Sequence, residues 1–381
     1  MNIPAGQSIE IRQVSGRKML KDFIRVPWSI YKDDPNWIPP LLMERKEAFS
    51  SKHPYFKHAR WSAWVAYRVG RPVGRISAQI DELHQQRYNN QTGFFGLIEA
   101  PDDHEVFLGL FSTAEDWLRE NGMQQVCGPF NLSINQEIGI LTEGFDSPPS
   151  VMTTHSPRYY GGCIENCGYE PVQELLAYEL DIHSYTTPAT RQELMERTSN
   201  RIRVKPLNAK TMESDFEVMR DIFNDAWQDN WNFVPFTREE FYAIGKELLT
   251  VVPHDFLQIA RLDDEPAAFI AMLPDLNMAV ADLNGRLLPF GWVKLLWRLK
   301  VRFPKRCRIV LMGVRKKYQN TIFGPALAFM VIDSVLVPGL SRGSVRVELS
   351  WILKQNKATR NLIEKFGGKV TKRYLMYSKN L

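Results

Sequence analysis

Cysteine is scarce in this chain, and its scarcity excludes two kinds of stabilised small fold. Only four cysteines occur among 381 residues. Cys163 and Cys167 are the one close pair, and no second pair of ligand residues accompanies them. A disulfide scaffold and a structural zinc site are therefore not expected, and we predict a protein of the reducing cytoplasm that holds no metal.

Long apolar runs are lacking as well. The longest apolar window, residues 323–340, is interrupted by Asp333, two prolines and two glycines, so it is a poor candidate for a membrane span. The start of the chain has no basic stretch followed by an apolar one, so no secretory signal is expected. We therefore expect a cytoplasmic protein, or one that binds the inner face of the membrane without crossing it.

The remaining composition is typical of a globular protein. The chain is 44% hydrophobic and 24% charged, which excludes a disordered, collagen-like or coiled-coil protein. A length of 381 residues exceeds one ordinary core and suits two domains. The net charge of +5 is too small to indicate a class of partner.

Two sequence echoes predict that the chain is a tandem duplication. Residues 65–78 and 259–271 both read as a strand, a charged turn with a proline, and a second strand. Residues 164–178 and 363–377 share Ile-Glu, a Gly three residues after the Glu, and a later Tyr. The two echoes are separated by nearly the same distance along the chain, as expected for a repeat.

Each half has the coarse order of a mixed α/β domain. In the second half, periodicity predicts helices over residues 212–227, 239–250, 325–337 and 358–366, a hairpin over 256–273, and strands over 308–314 and 345–351. We therefore predict an α/β fold with a mixed sheet, built from an N-terminal domain (1–180), a polar linker (181–200) and a C-terminal domain (201–381).

The most informative segment is residues 309–333, where an apolar strand runs into a donor-rich loop and then directly into a helix. This geometry offers backbone N–H groups and the positive end of a helix to an anion such as pyrophosphate. The segment resembles the strand-loop-helix signature of the GNAT superfamily of acyl-CoA-dependent N-acyltransferases. Ile322 departs from the signature, because the family has a glycine there and a side chain would crowd the pyrophosphate. The matching residues are Val314, Tyr318, Gln319, Gly324, Ala326 and Leu327.

The resemblance implies tandem GNAT-like domains, of which the second binds acyl-CoA as a co-substrate. It also implies that a backbone donor near Gly313 and Val314 binds the thioester carbonyl oxygen, where negative charge develops. The cofactor contacts expected from the resemblance are Gly313, Val314, Arg315, Lys317, Tyr318, Gln319, Asn320, Thr321, Gly324 and Asn356.

The general acid and base are less well defined. Asn356, Leu362 and Gly367 resemble the last motif of the family, but Ile363 stands where members often have a Tyr that protonates the leaving thiolate. The acid is then expected elsewhere, with Tyr318 or Tyr374 as candidates. Glu348 on the next predicted strand is a candidate base, although a strand Glu is as often a paired or solvated residue.

The equivalent loop of the first half, within residues 93–110, is acidic. Carboxylates repel a pyrophosphate, so we expect a degenerate first domain that shapes the acceptor side instead of binding CoA.

Two further groups are candidates for the acceptor site. Along a predicted strand, Asn131, Ser133, Asn135 and Glu137 would share one face, followed by Tyr159 and by His155 as the best candidate base. A polar loop that only satisfies its own turns is the alternative. In the second half, Trp227 and Trp231 are expected to line the acceptor pocket, with core packing as the alternative.

Acidic residues are absent from residues 283–332, which contain eleven Lys and Arg. Part of this charge suits the anionic end of CoA. The rest lies in residues 287–306, where a helix would carry Trp292, Leu295, Leu296, Leu299 and Phe303 on one stripe, with Lys294 and Arg298 opposite. Such a segment is typical of an interfacial membrane helix, and a helix packed on its own domain is the alternative.

Together these features predict an acyl-CoA-dependent N-acyltransferase that acts on an amine. The narrower hypothesis is a lipid or long-chain amino-alcohol acceptor, because large tandem GNAT-like bacterial proteins include enzymes that form ceramides. Two alternatives remain, a non-enzymatic nucleic-acid-binding regulator and an aminoacyl-tRNA-dependent ligase on a similar duplicated fold. No helix-turn-helix or zinc pattern is present, so nucleic acid is not expected as a partner.

Overall fold

A computed structural model describes residues 8–183, 189–198, 200–208 and 210–381. The chain forms two compact units. Unit 1 comprises the described part of Met1–Leu175 together with Leu283–Arg286 and Lys372–Leu381, and unit 2 comprises the described parts of Leu176–Asp282 and Leu287–Thr371. Both contain strands and helices around a mixed sheet, which confirms the predicted α/β class.

The elements of the first half follow in chain order. They are β1 (Glu10–Gln13), α1 (Gly16–Ile30), α2 (Leu42–Ala48), β2 (Ala59–Arg68), β3 (Arg71–Asp81), α3 (Glu82–Tyr88), β4 (Thr92–Glu99), α4 (His104–Glu120), β5 (Gln125–Gly128), β6 (Phe130–Asn131), β7 (Glu137–Ile138), β8 (Ile140–Glu143), α5 (Tyr160–Asn166) and β9 (Glu170–Asp181).

The second half continues the same alternation of strands and helices. Its elements are α6 (Ala189–Thr198), β10 (Ile202–Pro206), α7 (Met212–Trp227), α8 (Arg238–Leu249), β11 (Leu257–Leu262), β12 (Glu265–Pro274), α9 (Leu276–Val280), α10 (Gly291–Lys300), β13 (Arg306–Val314), α11 (Lys316–Gln319), α12 (Phe323–Ser341), β14 (Arg346–Leu353), α13 (Lys357–Lys365) and β15 (Lys369–Asn380).

The sheet of unit 1 runs in the order β1-β2-β3-β4-β5, and the end of β15 adds to β5. Neighbouring strands are antiparallel except β4 and β5, which are parallel. Alternate residues of β3, such as Ile76 and Ala78, are fully buried in one core with Phe107 and Leu110 of α4. Side chains repeat every two residues on one face of a strand and every three to four residues on one face of a helix. The apolar side chains on the facing sides of β3 and α4 therefore pack against one another.

The sheet of unit 2 runs in the order β14-β13-β12-β11-β10, with the end of β9 beside β14. The parallel pair here is β13 and β14, and the pairs from β10 to β13 are antiparallel. The long apolar helix α12 packs on β11 and β12. It is the one helix among the described residues that is long and apolar enough to cross a membrane, and half of its apolar window is buried.

The two hairpins of the sequence echo have the same detailed geometry. Pro72 of β3 lies opposite Tyr67, and Pro266 of β12 lies opposite Arg261. In both hairpins the strand register shifts just before that position, between Ala66 and Tyr67 and between Ala260 and Arg261. A shared irregularity at matching prolines is what a duplicated hairpin would retain.

The second echo corresponds to an exchange of final strands. In unit 1 the hydroxyl of Tyr377 donates to Glu165 (3.2 Å), and in unit 2 the hydroxyl of Tyr178 donates to Glu364 (2.8 Å). Each Glu thus binds the Tyr of the other half of the sequence. The compact units therefore differ from the sequence halves at their ends, since residues 372–381 belong to unit 1 and residues 176–180 to unit 2.

Within the linker predicted over residues 181–200, residues 189–198 form the helix α6, and residues 184–188 and 199 lie outside the described part. Two local predictions are corrected. The strand predicted through residues 131–137 is instead a small hairpin of β6 and β7. In α10, Leu299 is buried and Arg298 is half-buried, whereas Trp292 is exposed, so the predicted stripe does not share one environment.

Candidate functional site

In unit 2 the parallel strands β13 and β14 diverge. They pair from Arg306 to Ile309 and from Arg346 to Leu349, and beyond that point residues 311–314 continue along β12 alone. Apolar residues on both diverging segments, including Met312 and Ile352, are partly exposed. The divergence therefore opens the sheet between β13 and β14. In the opening, the backbone groups of the two strands do not form the hydrogen bonds that join them earlier in the ladder.

A bulge on β13 lies directly after the last pair with β14. The register with β12 shifts between Ala271 and Met272, so Val310 has no partner residue on β12. A bulged residue leaves the regular ladder and turns its backbone groups out of the pairing. Such a group in the opening can donate to a carbonyl oxygen.

The loop after β13 uses most of its own backbone donors. The amide of Arg315 donates to the carbonyl of Ala267 (2.9 Å), and the amide of Lys316 donates to the carboxylate of Asp225 (2.8 Å). At the start of α12, the amides of Phe323 and Gly324 donate to the side chain and the carbonyl of Thr321. An anion bound at this loop would have to replace these acceptors.

The cations of the loop are paired with acidic residues of neighbouring elements. Arg315 binds Asp221 of α7 (2.5 Å), Lys316 binds Asp229, and Lys317 binds Glu265. The hydroxyl of Tyr318 also donates to Glu265 (2.9 Å), and burial followed by this hydrogen bond raises the pKa of Tyr318. Most of these acceptors are well exposed, and exposed ion pairs exchange at little cost in free energy.

Two glycines of the predicted site are required for packing. A Cβ at Gly324 would lie 2.6 Å from the carbonyl oxygen of Tyr318, so only glycine lets α12 begin so close to α11. A Cβ at Gly313 would lie 2.9 Å from the ring of Phe269 and 3.2 Å from Ala226. Ile322, which replaces the signature glycine, is 67% exposed and points away from the core.

The remaining loop residues cap local structure. The side chain of Gln319 donates to the carbonyl of Val314 (2.8 Å), and Thr321 donates to the carbonyl of Tyr318 (2.8 Å). Asn320 ends α11. Asn356 is the N-cap of α13, where its side-chain oxygen accepts from the amide of Thr359 (3.1 Å).

Glu348 lies beside a fully buried arginine at the point of divergence. Arg308 and Glu348 are register partners on β13 and β14, and their charged atoms are 3.8 Å apart. Ser350 donates to Glu348 (2.7 Å) and accepts from Arg308 (2.9 Å). This geometry favours a structural ion pair, because loss of one partner of a buried pair is strongly destabilising.

The aromatic residues at the end of α7 and just after it pack mainly with one another. Trp227 stacks on Phe223 with ring centroids 5.1 Å apart, and its indole N–H donates to the carbonyl of Met312 on β13 (2.9 Å). Trp231 is partly exposed. Trp227 thus contacts the strand that forms one side of the opening.

In unit 1 the polar hairpin of β6 and β7 forms a charged cluster with α2. Asn131 and Glu137 are register partners, and the Asn131 amide donates to Glu137 (3.2 Å) while its oxygen accepts from the amide of Leu97 (2.8 Å). Arg45 binds Glu137 (2.5 Å), and both side chains remain 20% exposed. Burial would raise the pKa of Glu137, but the Arg45 charge and the hydrogen bonds from Arg45 and Asn131 together outweigh burial and lower that pKa.

The other predicted acceptor residues are dispersed. The hydroxyl of Ser133 accepts from the amide of Asn135 (3.2 Å), which is a local turn contact. The hydroxyl of Tyr159 donates to the carbonyl of Ala100 (2.9 Å), and its ring packs against the core around α4. Asn131 and Glu137 are therefore brought together, whereas Ser133, Asn135 and Tyr159 have separate local roles.

His155 forms a dyad with an aspartate. Its Nε2 lies 2.8 Å from Asp34, and its Nδ1 is buried and has no hydrogen-bond partner among the described residues. Burial lowers the pKa of His155, and the hydrogen bond to Asp34 acts in the opposite direction. An imidazole whose Nε2 proton is held by a carboxylate keeps a lone pair on Nδ1, as a general base requires.

Sequence reasoning missed a second buried cluster in unit 1. Arg75 lies 3.5 Å from Glu99 and donates to the carbonyl of Phe23 (3.1 Å), and the hydroxyl of Tyr160 donates to Glu99 (2.8 Å). Burial raises the pKa of Glu99 and lowers that of Arg75. The sequence carried a signal, because Arg75, Ser77 and Gln79 alternate with apolar residues along β3.

The acidic loop of unit 1 occupies its own helix end. Asp103 is the N-cap of α4 and accepts from the amides of Glu105 (3.0 Å) and Val106 (3.4 Å). A carboxylate therefore already stands where an anion would bind a helix N-terminus. Within the described residues, no group of three or more His, Cys, Asp or Glu side chains is arranged to hold a metal ion.

Comparison with known proteins places this chain in a family. The chain is 45% identical over 371 residues to protein YghO of Escherichia coli K12, with 97% of this chain and 95% of that protein covered. It is 43% identical over 364 residues to bacterial ceramide synthase of Caulobacter vibrioides, with 95% of each covered. No family model matches the sequence.

Solved structures agree on the fold. A tandem GNAT protein of the clavulanic acid biosynthesis pathway has a TM-score of 0.56 at 10% identity and covers 98% of both chains. A GCN5-related N-acetyltransferase of Sphaerobacter thermophilus has a TM-score of 0.51 at 13% identity, with 98% of this chain and 95% of that chain covered. The chain therefore belongs to the family of bacterial ceramide synthase and YghO, and its fold is that of a tandem GNAT protein.

Proposed function

We propose that the protein is an acyl-CoA-dependent N-acyltransferase whose acceptor is a long-chain amine, such as a lipid amine or an amino-alcohol. The divergence of β13 and β14 after Ile309 and Leu349 carries the proposal. It leaves the end of β13 unpaired with β14, beside a loop that leads into α12. The name of the Caulobacter relative supports the choice of acceptor class.

The proposed reaction is a simple acyl transfer. The amine nitrogen forms a bond to the thioester carbonyl carbon, the carbon–sulfur bond breaks, and the sulfur leaves with the electron pair. The amine loses one proton to a base, and the departing thiolate gains one. The chain needs to hold the two reactants in line, to donate to the carbonyl oxygen and to accept the proton.

We assign the acyl-donor site to unit 2. Backbone groups from the bulge at Val310 to Gly313 and Val314 would donate to the thioester carbonyl. Arg315 and Lys317 would exchange their carboxylate partners for phosphate oxygens, and Tyr318 would do the same with its hydroxyl. Further contacts are proposed from residues at the start of α12 and α13: Gln319, Asn320, Thr321, Gly324 and Asn356.

We assign the acceptor side to polar groups of unit 1, with no acyl-CoA bound there. The partly exposed pair of Arg45 and Glu137, held by Asn131, is a polar site of both charges. His155 is the proposed base, since burial favours its neutral imidazole and the hydrogen bond to Asp34 orients the ring. A cytoplasmic location agrees with four free, buried cysteines.

Isothermal titration tests the donor site directly. CoA and acyl-CoA thioesters should each bind the pure full-length chain, with one site per chain. Release of free thiol from long-chain acyl-CoA should then require a long-chain amine. Absence of CoA binding would refute the proposal, and turnover that depends on tRNA but not on CoA would favour the ligase alternative.

A further inference from the structure

The segment around α10 exposes an unusual amount of apolar surface. Leu288, Phe290 and Val301 are 79%, 74% and 70% exposed, and Trp292 and Trp297 are each 49% exposed. Val293 and Leu296 on the same helix are exposed as well. Large apolar residues clustered at the surface mark an interaction site, whereas single ones do not. We call residues 288–305 the α10 surface.

The inner side of α10 is anchored to unit 2, so its outer side is defined. Arg298 donates to the carbonyl of Ala279 (2.7 Å) and binds Asp282 (2.5 Å), and Leu299 is buried. This fixes the rotation of the helix about its axis. The side that faces solvent therefore carries both tryptophans, which is not the stripe predicted from periodicity.

Positive charge accompanies the exposed apolar residues. Lys300, Arg302 and Lys305 are exposed, and none of the three forms an ion pair among the described residues. Lys294 is also exposed, although it lies 3.4 Å from Asp282. No Asp or Glu occurs anywhere in residues 283–332. The α10 surface thus combines tryptophan, aliphatic and basic side chains without an acidic one.

We propose that the α10 surface docks the protein onto an anionic lipid bilayer. Tryptophans favour the interface between headgroups and acyl chains, and lysines reach the phosphates while their stems stay with the apolar residues. With ten residues, α10 is too short to span a bilayer, so it lies in the interface. This inference rests on the proposed function only in its purpose, which is access to a lipid amine.

Other occupants fit this surface less well. A symmetric contact between two copies would set the same cations against one another, because a two-fold interface is self-complementary in position. A nucleic acid would satisfy the cations but leave exposed aliphatic residues such as Leu288 and Val301 without an apolar partner. An anionic bilayer matches both components at once.

Co-flotation of the full-length chain with vesicles tests the proposal. We expect binding to phosphatidylcholine vesicles that contain about one quarter phosphatidylglycerol, and weaker binding to phosphatidylcholine alone. The double variant Trp292→Ser with Trp297→Ser should lose binding to both kinds of vesicle. The double variant Lys300→Gln with Arg302→Gln should lose about thirtyfold in affinity for the anionic vesicles only.

A matched control is available in unit 1. Leu108 and Val172 are 48% and 47% exposed, so Leu108→Ser with Val172→Ser removes a similar degree of apolar exposure elsewhere. This control should float like the unchanged protein. The proposal is overturned if the tryptophan variant still floats or if the unchanged protein does not bind anionic vesicles. It is also overturned if the tryptophan substitutions abolish dimerisation or salt-dependent DNA binding instead of flotation.

Titration with CoA in buffer without lipid separates this proposal from the proposed function. The tryptophan variant should bind CoA as the unchanged protein does, because α10 contributes no residue to the proposed donor site. CoA binding without flotation would overturn only the membrane proposal. Flotation without CoA binding would overturn only the proposed function.

Discussion

Glu265 accepts the hydrogen bonds that the pyrophosphate of the proposed ligand would need. It accepts hydrogen bonds from both Lys317 and Tyr318, and these bonds lower the pKa of Glu265, with Lys317 as the larger cause. The carboxylate is therefore ionised at neutral pH. A bound pyrophosphate would need the same two donors, so the two anions compete.

Glu265→Gln should tighten CoA binding by about two- to fivefold, which is the range expected for one exposed ion pair. Lys317→Ala should weaken binding, because it removes the donor for which both anions compete. Isothermal titration measures both changes. Asp264→Asn is the matched control, since it removes a charge from the same turn but pairs with Arg203. Equal tightening in the control would contradict a specific competition.

The dyad of His155 and Asp34 predicts a defined pH dependence. Since burial holds the pKa of His155 below its usual 6.5, kcat should be constant above that pH and fall only below it. His155→Gln should remove this acidic limb and reduce kcat by about 10²- to 10⁴-fold. Steady-state kinetics between acidic and neutral pH provide the measurement.

The same shift has a consequence for stability. Below pH 6.5 the unfolded chain binds a proton at His155 more readily than the folded chain does. The free energy of unfolding should therefore be constant above pH 6.5 and decrease as the pH falls, and His155→Gln should flatten that decrease.

His58→Gln is the control for the predicted loss of kcat, because His58 pairs with Asp81 in the same unit. Loss of kcat in both variants would indicate a structural effect.

At the scale of elements, the junction between α11 and α12 determines the shape of the proposed phosphate loop. α11 is a single turn, and α12 begins four residues after it ends. Gly324 allows this close approach, because its missing Cβ would otherwise meet two carbonyl oxygens of the preceding turn. The loop conformation therefore depends on one backbone contact.

Gly324→Ala should shift the loop and weaken CoA binding. It should also reduce the free energy of unfolding by about 1–3 kcal/mol, as expected for overpacking. Titration with CoA and denaturant unfolding measure the two effects. Gly162→Ala in α5 is the matched control, because no atom lies within 4 Å of its Cβ. An unchanged CoA affinity in Gly324→Ala would contradict the assigned role of this junction.

At the scale of the whole molecule, the exchange of final strands makes the two halves of the sequence interdependent. Tyr377 to Asn380 of β15 pair with β5 in unit 1, and Lys372 donates to the carbonyls of Gly144 (2.5 Å) and Ser147 (2.7 Å) there. The first half alone therefore lacks an edge of its own sheet. An unpaired edge exposes backbone donors and acceptors and favours aggregation.

Residues 1–180 expressed alone should therefore be insoluble or unfolded. Co-expression with residues 181–381 should restore a soluble complex, because the final strand then becomes available. Solubility, co-purification and circular dichroism provide the measurements. A soluble first half with native secondary structure and cooperative unfolding would contradict the proposed interdependence.

Much of the secondary structure could be predicted from periodicity. The helix predicted over residues 212–227 coincides with α7, and the two predicted hairpins are present with their prolines at matching register positions. The prediction of a polar strand through residues 131–137 was wrong, because alternation of polar residues does not distinguish a strand from a tight hairpin. The predicted rotation of α10 about its axis was also wrong, because that rotation depends on contacts with Asp282 and Ala279, which lie outside the helix.

The sequence by itself determined the mixed α/β class, the duplication and the position of the strand-loop-helix motif. These depend on local backbone periods and on repeated residues, which are visible along the chain. Only the tertiary structure decided which carboxylates pair with Lys317 and Arg308, which side of α10 faces solvent, and which unit contains the final strand. Those outcomes depend on contacts between residues far apart in sequence. Local backbone preferences do not distinguish among the possible arrangements, and burial and charge pairing select one of them.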